Sequence, residues 1–334
     1  MMMEIFPGGA SRLEFHRLAN WLMERARSSN INQALDDLET YLRATNLPFQ
    51  VTVAVSGLKV FAVCDLGRGI SFVPWDALQD SNQKKSVWER CFMGVSLNLP
   101  TGALVRDFSI TKLHVHQDEF ETQRPIAMKP IDDTEIHDAL MCMALVGPFA
   151  HHAVASWISP PRWMPISGGG IGLSYIEGSF PSQSFPEEKC LAASSLFEKF
   201  CSLTVDLQAR LRLAMQRLYR AMRRGVPVDA AIDLGIALEV LYLDSKDRGE
   251  LTFRLKIRAA LLLGTDEADK KRIFKLVDDL YRLRSSAVHE GKVAPDIRGR
   301  PTKEVLSEGY SIAAETARRF ITDQEPNWEK VMFG

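Results

Sequence analysis

The chain predicts two unlike halves: an α+β N-terminal domain on a mostly antiparallel sheet, then a second domain patterned as helices. Three observations carry this. The hydrophobic period switches from helical to alternating near Phe49, a Pro-, Gly- and Ser-rich stretch occupies residues 159–186, and helical spacing returns after it. With 334 residues, 46% hydrophobic and 25% charged, the chain can bury ample core in two domains.

Leu13, His16, Leu18, Trp21 and Leu22 mark a first helix, and Ile31, Leu35, Leu38, Tyr41 and Leu42 a second. The period then falls to two. Residues 49–55 and 59–64 read as strands of a hairpin turned at Ser56 and Gly57, and further strands are expected over 91–99 and 104–115. A helix from about 133 to 158, kinked or restarted at Pro148, closes this domain of residues 1–158, with the helices on one side of the sheet. The linker follows at 159–186. Its glycines Gly168, Gly169, Gly170 and Gly172 read as a flexible turn, because no clear strand precedes them and no Gly-Lys-Ser/Thr follows, as a phosphate loop would need.

The net charge of −1 hides a division. Residues 1–150 hold 14 basic and 18 acidic side chains, whereas residues 201–300 hold 20 basic and 14 acidic. A basic excess of this kind attracts a polyanion. Within it, Arg210, Arg217, Arg220 and Arg224 recur near one helical face beside the apolar stripe of Leu211, Met215, Leu218 and Met222. They are candidates to follow an RNA backbone, and equally a solvated helix face. The five cysteines show no Cys-x-x-Cys pair, so neither a disulfide framework nor a cysteine zinc site is indicated, and reduced thiols are expected. No apolar run is long enough to span a bilayer, and the first residues lack a secretory pattern; the expected location is the cytoplasm, with no membrane partner.

The most informative segment is Tyr281 to Gly291. Ile273, Phe274, Val277, Leu280, Tyr281 and Val288 follow a helical period, and Gly291 stands as a C-terminal cap. Arg284 and His289 come late in this helix. At about 100° per residue Ser285 and His289 share a face, and Arg284 lies roughly 140° from His289, reaching the same ligand only through its long side chain. Arginine forks a phosphate and histidine moves protons near neutral pH. Both residues also suit a helix C-terminus, where they complement the macrodipole.

Taken with residues 237–243, 253–264 and 273–277, the Arg-x4-His motif of Arg284 and His289 resembles the HEPN superfamily, most closely its Apea-like branch. That resemblance implies an all-α HEPN-like bundle over residues 187–324, with a tail at 325–334. It implies a homodimer in which two motifs face each other and cut RNA without a metal or other cofactor. By that likeness Arg284 binds the scissile phosphate and His289 acts on the ribose hydroxyl or the leaving oxygen. Ser285 stands where the superfamily often carries Asn, Asp or His; it is polar but is neither acid nor base. Glu239 occupies a helix where related sequences often carry an acid, and is a supporting candidate. The implied biology is a toxin or anti-phage defence effector, whose N-terminal domain binds an antitoxin, a trigger or the RNA itself.

Two other readings stay open. One is a non-catalytic HEPN-like module that binds RNA, a nucleotide or a protein. The other is a metal hydrolase using His114 and His116, which with Asp118 alternate as one face of a strand would.

Overall fold

The structure is a computed structural model and describes residues 2–6, 9–12, 15–92, 98–116, 133–147, 150–166, 171–173, 181–244 and 249–333. The chain opens with two strands that the sequence pattern did not reveal, β1 (Met2–Phe6) and β2 (Gly9–Arg12). Helices α1 (Phe15–Ser28) and α2 (Ile31–Arg43) follow as expected. Asn30 caps α2, its side chain accepting from the Gln33 amide at 2.8 Å, and Arg25 of α1 donates to the buried Asp37 of α2 at 2.7 Å.

The central strand is β3 (Asn46–Ser56), paired antiparallel with β7 (Gly102–Thr111) on one side and β9 (His152–Ser159) on the other. With β5 (Cys64–Gly67), β6 (Ile70–Pro74) and β10 (Gly172–Leu173), they make a six-stranded sheet in the order β10-β9-β3-β7-β6-β5, every pair antiparallel. The side-chain period of two sorts β3 cleanly. Val51, Val53 and Val55 face the main core with Leu104 and Phe72, while Ala54 faces a second cluster with Trp75, Val87, Ala103 and Trp157. Helix α3 (Asn82–Phe92) covers that second face, and α4 (Thr134–Leu145) lies in the main core. Helices therefore cover both faces rather than one.

Three local expectations are corrected. Residues 59–64 do not form a hairpin with β3: at Gly57, φ +86°, the chain turns away, and β4 (Leu58–Lys59) pairs in parallel with β11 (Gln183–Ser184). The true hairpin is β5–β6, turned by Arg68 and Gly69 in the left-handed region. Residues 82–92 are helical where a strand was expected from 91, and residues 93–97 lie outside the described residues. The helix expected over 133–158 ends at Leu145, and 152–159 becomes β9, next to the central strand. Residues 139–146 are buried without a break, so hydrophobicity alone carries no period there. The glycines Gly168, Gly169 and Gly170 lie outside the described residues.

The second half is helical: α5 (Glu187–Ser202), α6 (Val205–Arg223), α7 (Pro227–Tyr242), α8 (Leu251–Leu263), α9 (Glu267–Glu290), α10 (Thr302–Asp323) and α11 (Trp328–Phe333). A small hairpin of β12 (Asp296–Ile297) and β13 (Arg300–Pro301) separates α9 from α10. Pro227 starts α7 with its φ already helical, and Asp266 caps α9 by accepting from the Asp269 amide at 2.8 Å. Two glycines bring three helices close. A Cβ on Gly309 of α10 would sit 2.7 Å from side-chain carbons of Leu234 on α7 and Leu280 on α9. A Cβ on Gly235 of α7 would collide with Arg284 of α9.

The buried residues of one sheet face, of α4 and of the helical half belong to one continuous core. Cys64 of β5 and Cys190 of α5 form a disulfide across it, with Cα atoms 5.9 Å apart, where free thiols were expected. Cys91 and Cys142 are buried and free, and Cys201 is half-buried and free. Among the described residues no helix is long and apolar enough to cross a membrane.

Candidate functional site

Helix α9 runs 24 residues and ends where its last turn meets Gly291, φ +66°, the left-handed cap read from the sequence. Its buried stripe of Ile273, Leu276, Val277, Leu280, Leu283 and Ala287 packs into the bundle. Beside that stripe, the last three turns present Tyr281, Arg284, Ser285, Val288 and His289. At about 100° per residue these five span an arc of roughly 140°, with Arg284 at one edge and His289 at the other.

Arg284 is held at three points. Its aliphatic stem lies on the bare backbone of Gly235, its guanidinium is 3.3 Å from Glu239, and that guanidinium sits 5.9 Å from the Tyr281 ring centroid. Glu239 is one turn beyond Gly235 on α7, so glycine and carboxylate together fix the arginine's path. The pair is partly open, with 25% of the Arg284 side chain and 29% of Glu239 exposed. At that exposure an ion pair contributes about 1 kcal/mol at most. Arg284 Nε is buried without a hydrogen-bond partner. Ser285 is half-buried and His289 is exposed, and no described residue bonds to the imidazole.

The structure therefore brings Arg284, Glu239 and Tyr281 together and leaves His289 a turn and a half away on the same helix end. Gly235 was not singled out from the sequence, and Tyr281 was read there only as part of the helical period. An isolated glycine inside an apolar helix is the signal that would have marked Gly235 as a point of close approach.

The four arginines proposed to follow RNA are placed differently from one another. Arg210 clamps the C-terminus of α7, donating to the carbonyls of Val240 at 2.8 Å, Leu241 at 3.1 Å and Leu243 at 3.3 Å, and pairs with Glu325. Arg217 and Arg224 both donate to Asp233, a carboxylate with 5% of its side chain exposed, at 2.9 and 3.3 Å. Arg220 is exposed and makes no ion pair among the described residues. Three of the four thus spend donors on the fold, because α6 has buried acid and open carbonyls of α7 beside it.

Strand β8 (Leu113–His116) pairs with β1, setting Glu4 opposite His114 and Met2 opposite His116. Asp118 lies outside the described residues. Among the described residues no group of three or more His, Cys, Asp or Glu is placed to hold a metal. His151 and His152, fully buried, stand at the start of β9. His151 Nε2 is 3.0 Å from the Leu140 carbonyl. Burial, reinforced by Arg223 and His151, pushes His152 down to about 3, so it is neutral in the fold.

A concavity lies where sheet and helices meet. It encloses about 590 Å³ between Val51, Arg106 and Phe108 of the sheet, the first turn of α4, and Cys201 and Arg212 of α5 and α6. Compared with models of protein families, with curated proteins and with solved structures, the chain matches none.

Proposed function

We propose that the protein is a metal-independent endoribonuclease of the HEPN type, acting as a toxin or defence effector, with Arg284 and His289 at its centre. The observation that carries this reading is the placement of Arg284. Its stem is seated on Gly235 and its guanidinium is partly open, at the same helix end that presents an exposed imidazole. A phosphate arriving there exchanges with Glu239 for the guanidinium, and Glu239 keeps the arginine extended until it does.

In a dimer that opposes two such helix ends, one His289 takes the proton from a ribose 2′-hydroxyl. The 2′-oxygen then bonds to phosphorus, the bond to the 5′-oxygen breaks, and that oxygen picks up a proton from the second histidine or from water. Arg284 neutralises the charge that grows on the phosphate oxygens. The products are a 2′,3′-cyclic phosphate and a 5′-hydroxyl. A single chain presents half of this cleft, so activity requires association.

One observation favours the non-catalytic module instead. Arg284 already has its counter-ion, Glu239, within the same chain, so the pair also serves to hold α7 against α9. Cleavage of labelled single-stranded RNA and transfer RNA in excess chelator, by wild type and by His289→Ala, separates the two. Chelator-resistant cutting lost in the variant supports the nuclease. RNA binding without cutting by either protein supports the module.

A further inference from the structure

We propose that the cleft between the sheet and the helical half binds a small phosphate-bearing ligand of mononucleotide size, gripped by Arg68 and Arg106 in place of Glu135. About 590 Å³ is ample for such a molecule and small for a folded RNA. The walls differ in chemistry. Val51, Phe108 and Ile136 make an apolar side, and Phe108 is backed by Phe49 with ring centroids 5.9 Å apart, a firm surface for a planar base.

The polar side holds three guanidiniums. Arg68 donates through Nε and Nη2 to one oxygen of Glu135 at 2.8 and 2.6 Å, and Arg106 Nη2 meets the other oxygen at 2.8 Å. One carboxylate thus bridges two arginines, leaving the pair with a net positive charge. The remaining guanidinium donors of Arg68 and Arg106 have no partner among the described residues. Arg212 is different: it forks Asp138 with two bonds of 2.8 Å, and Asp138 is nearly fully buried, so this pair is a fixed part of the wall.

Glu135 sits in the first turn of α4, where an anion is favoured, and 26% of its side chain is exposed. It occupies the place a phosphate would take and can swing out to solvent without breaking a buried contact. The lining as a whole holds three arginines against Asp107, Glu135 and Asp138. That balance gives little long-range pull on a polyanion. Recognition is by directed donors at short range, which suits a small ligand rather than a nucleic-acid chain. The inference does not depend on the nuclease reading, since none of these residues lies at Arg284 or His289.

Isothermal titration of the full-length protein with AMP, ribose 5-phosphate and inorganic phosphate tests it. The expected result is saturable AMP binding, tighter than inorganic phosphate. It should weaken by about tenfold or more in Arg106→Lys, which keeps charge and loses the fork, and tighten in Glu135→Gln, which removes the competing anion. The unchanged far-UV spectrum of each variant checks folding, and Glu135→Gln keeps the test alive should Arg106→Lys fold poorly. Equal binding of AMP and inorganic phosphate overturns the nucleotide-sized ligand. Absence of binding by both wild type and Glu135→Gln, or binding indifferent to these two substitutions, overturns the site.

Discussion

Gly235→Ala offers a quantitative test of how the fold places Arg284. A methyl there would lie 3.0 Å from Arg284 Cβ, closer still to Cγ and 3.5 Å from Cδ. Those are the near atoms of the side chain, so a rotamer change at the tip does not relieve the overlap. Overpacking of this kind costs about 1–3 kcal/mol, while replacing a mid-helix glycine by alanine returns about 1 kcal/mol, for a net loss of about 0–2 kcal/mol. The sign of that sum is less informative than its dependence on Arg284. In an Arg284→Ala background the clashing Cγ is gone and only the Cβ contact at 3.0 Å remains, and the same substitution should become neutral or stabilising. The difference between backgrounds, about 1–3 kcal/mol, is read from urea denaturation midpoints of the four proteins. An identical cost in both backgrounds would refute the claim that Gly235 is the seat of Arg284.

Three further outcomes follow from the same structure. His152 is held at about 3 against an ordinary 6.5, so the unfolded chain takes up its proton first; stability is full above 6.5, falls as pH drops toward 3, and loses about 3 kcal/mol by pH 4. Denaturation at pH 7 and pH 4 should show that loss in wild type and little of it in His152→Val. Burial alone would raise Asp278, but hydrogen bonds from Lys256, Arg298 and Arg282 outweigh it and hold the carboxyl at about 2 against 3.8. Its contribution, about 2 kcal/mol, is present above 3.8 and lost as pH falls through 2, and Asp278→Asn should forfeit it at neutral pH. Cys64 and Cys190 close a loop of sequence separation 126, so reduction or Cys190→Ser should cost about 2–4 kcal/mol, and thiol titration of the unreduced protein that finds all five cysteines free would contradict the bond.

Much of this architecture was legible in the residues, and the failures have physical causes. α9 announces itself because it buries one apolar stripe and exposes the rest, so the helical period is clear; α1 and α2 carry the same period, although α1 has no fully buried residue and Ile31, Leu35 and Leu42 of α2 are exposed. β3 alternates in residue type, Val51, Val53 and Val55 against Thr52 and Ala54, although Val51–Ser56 is buried on both faces. α4 and β9 could not be separated, since both are largely buried and a continuous apolar stretch carries no period. The partner of β3 was misassigned because Ser56-Gly57 reads as a hairpin turn, whereas the strand pairs with segments about fifty and a hundred residues away, which local pattern cannot report. The disulfide is hidden for the same reason. At the candidate site, Arg284, His289 and Glu239 were marked by motif and by resemblance, yet the contact between Arg284 and Glu239 is a property of how α7 and α9 cross at Gly235. The arginines of α6 illustrate the converse: three of the four that read as a basic stripe, Arg210, Arg217 and Arg224, bond to Asp233 or to the end of α7 once the bundle forms.

The most direct measurement is the chemistry of the cut ends. A defined RNA labelled at its 5′ end, incubated with wild type in excess chelator and then analysed by mass, should give a fragment ending in a 2′,3′-cyclic phosphate, and His289→Ala should give none. A fragment ending in a 3′-hydroxyl, or cleavage that requires added metal or survives in His289→Ala, would contradict the account.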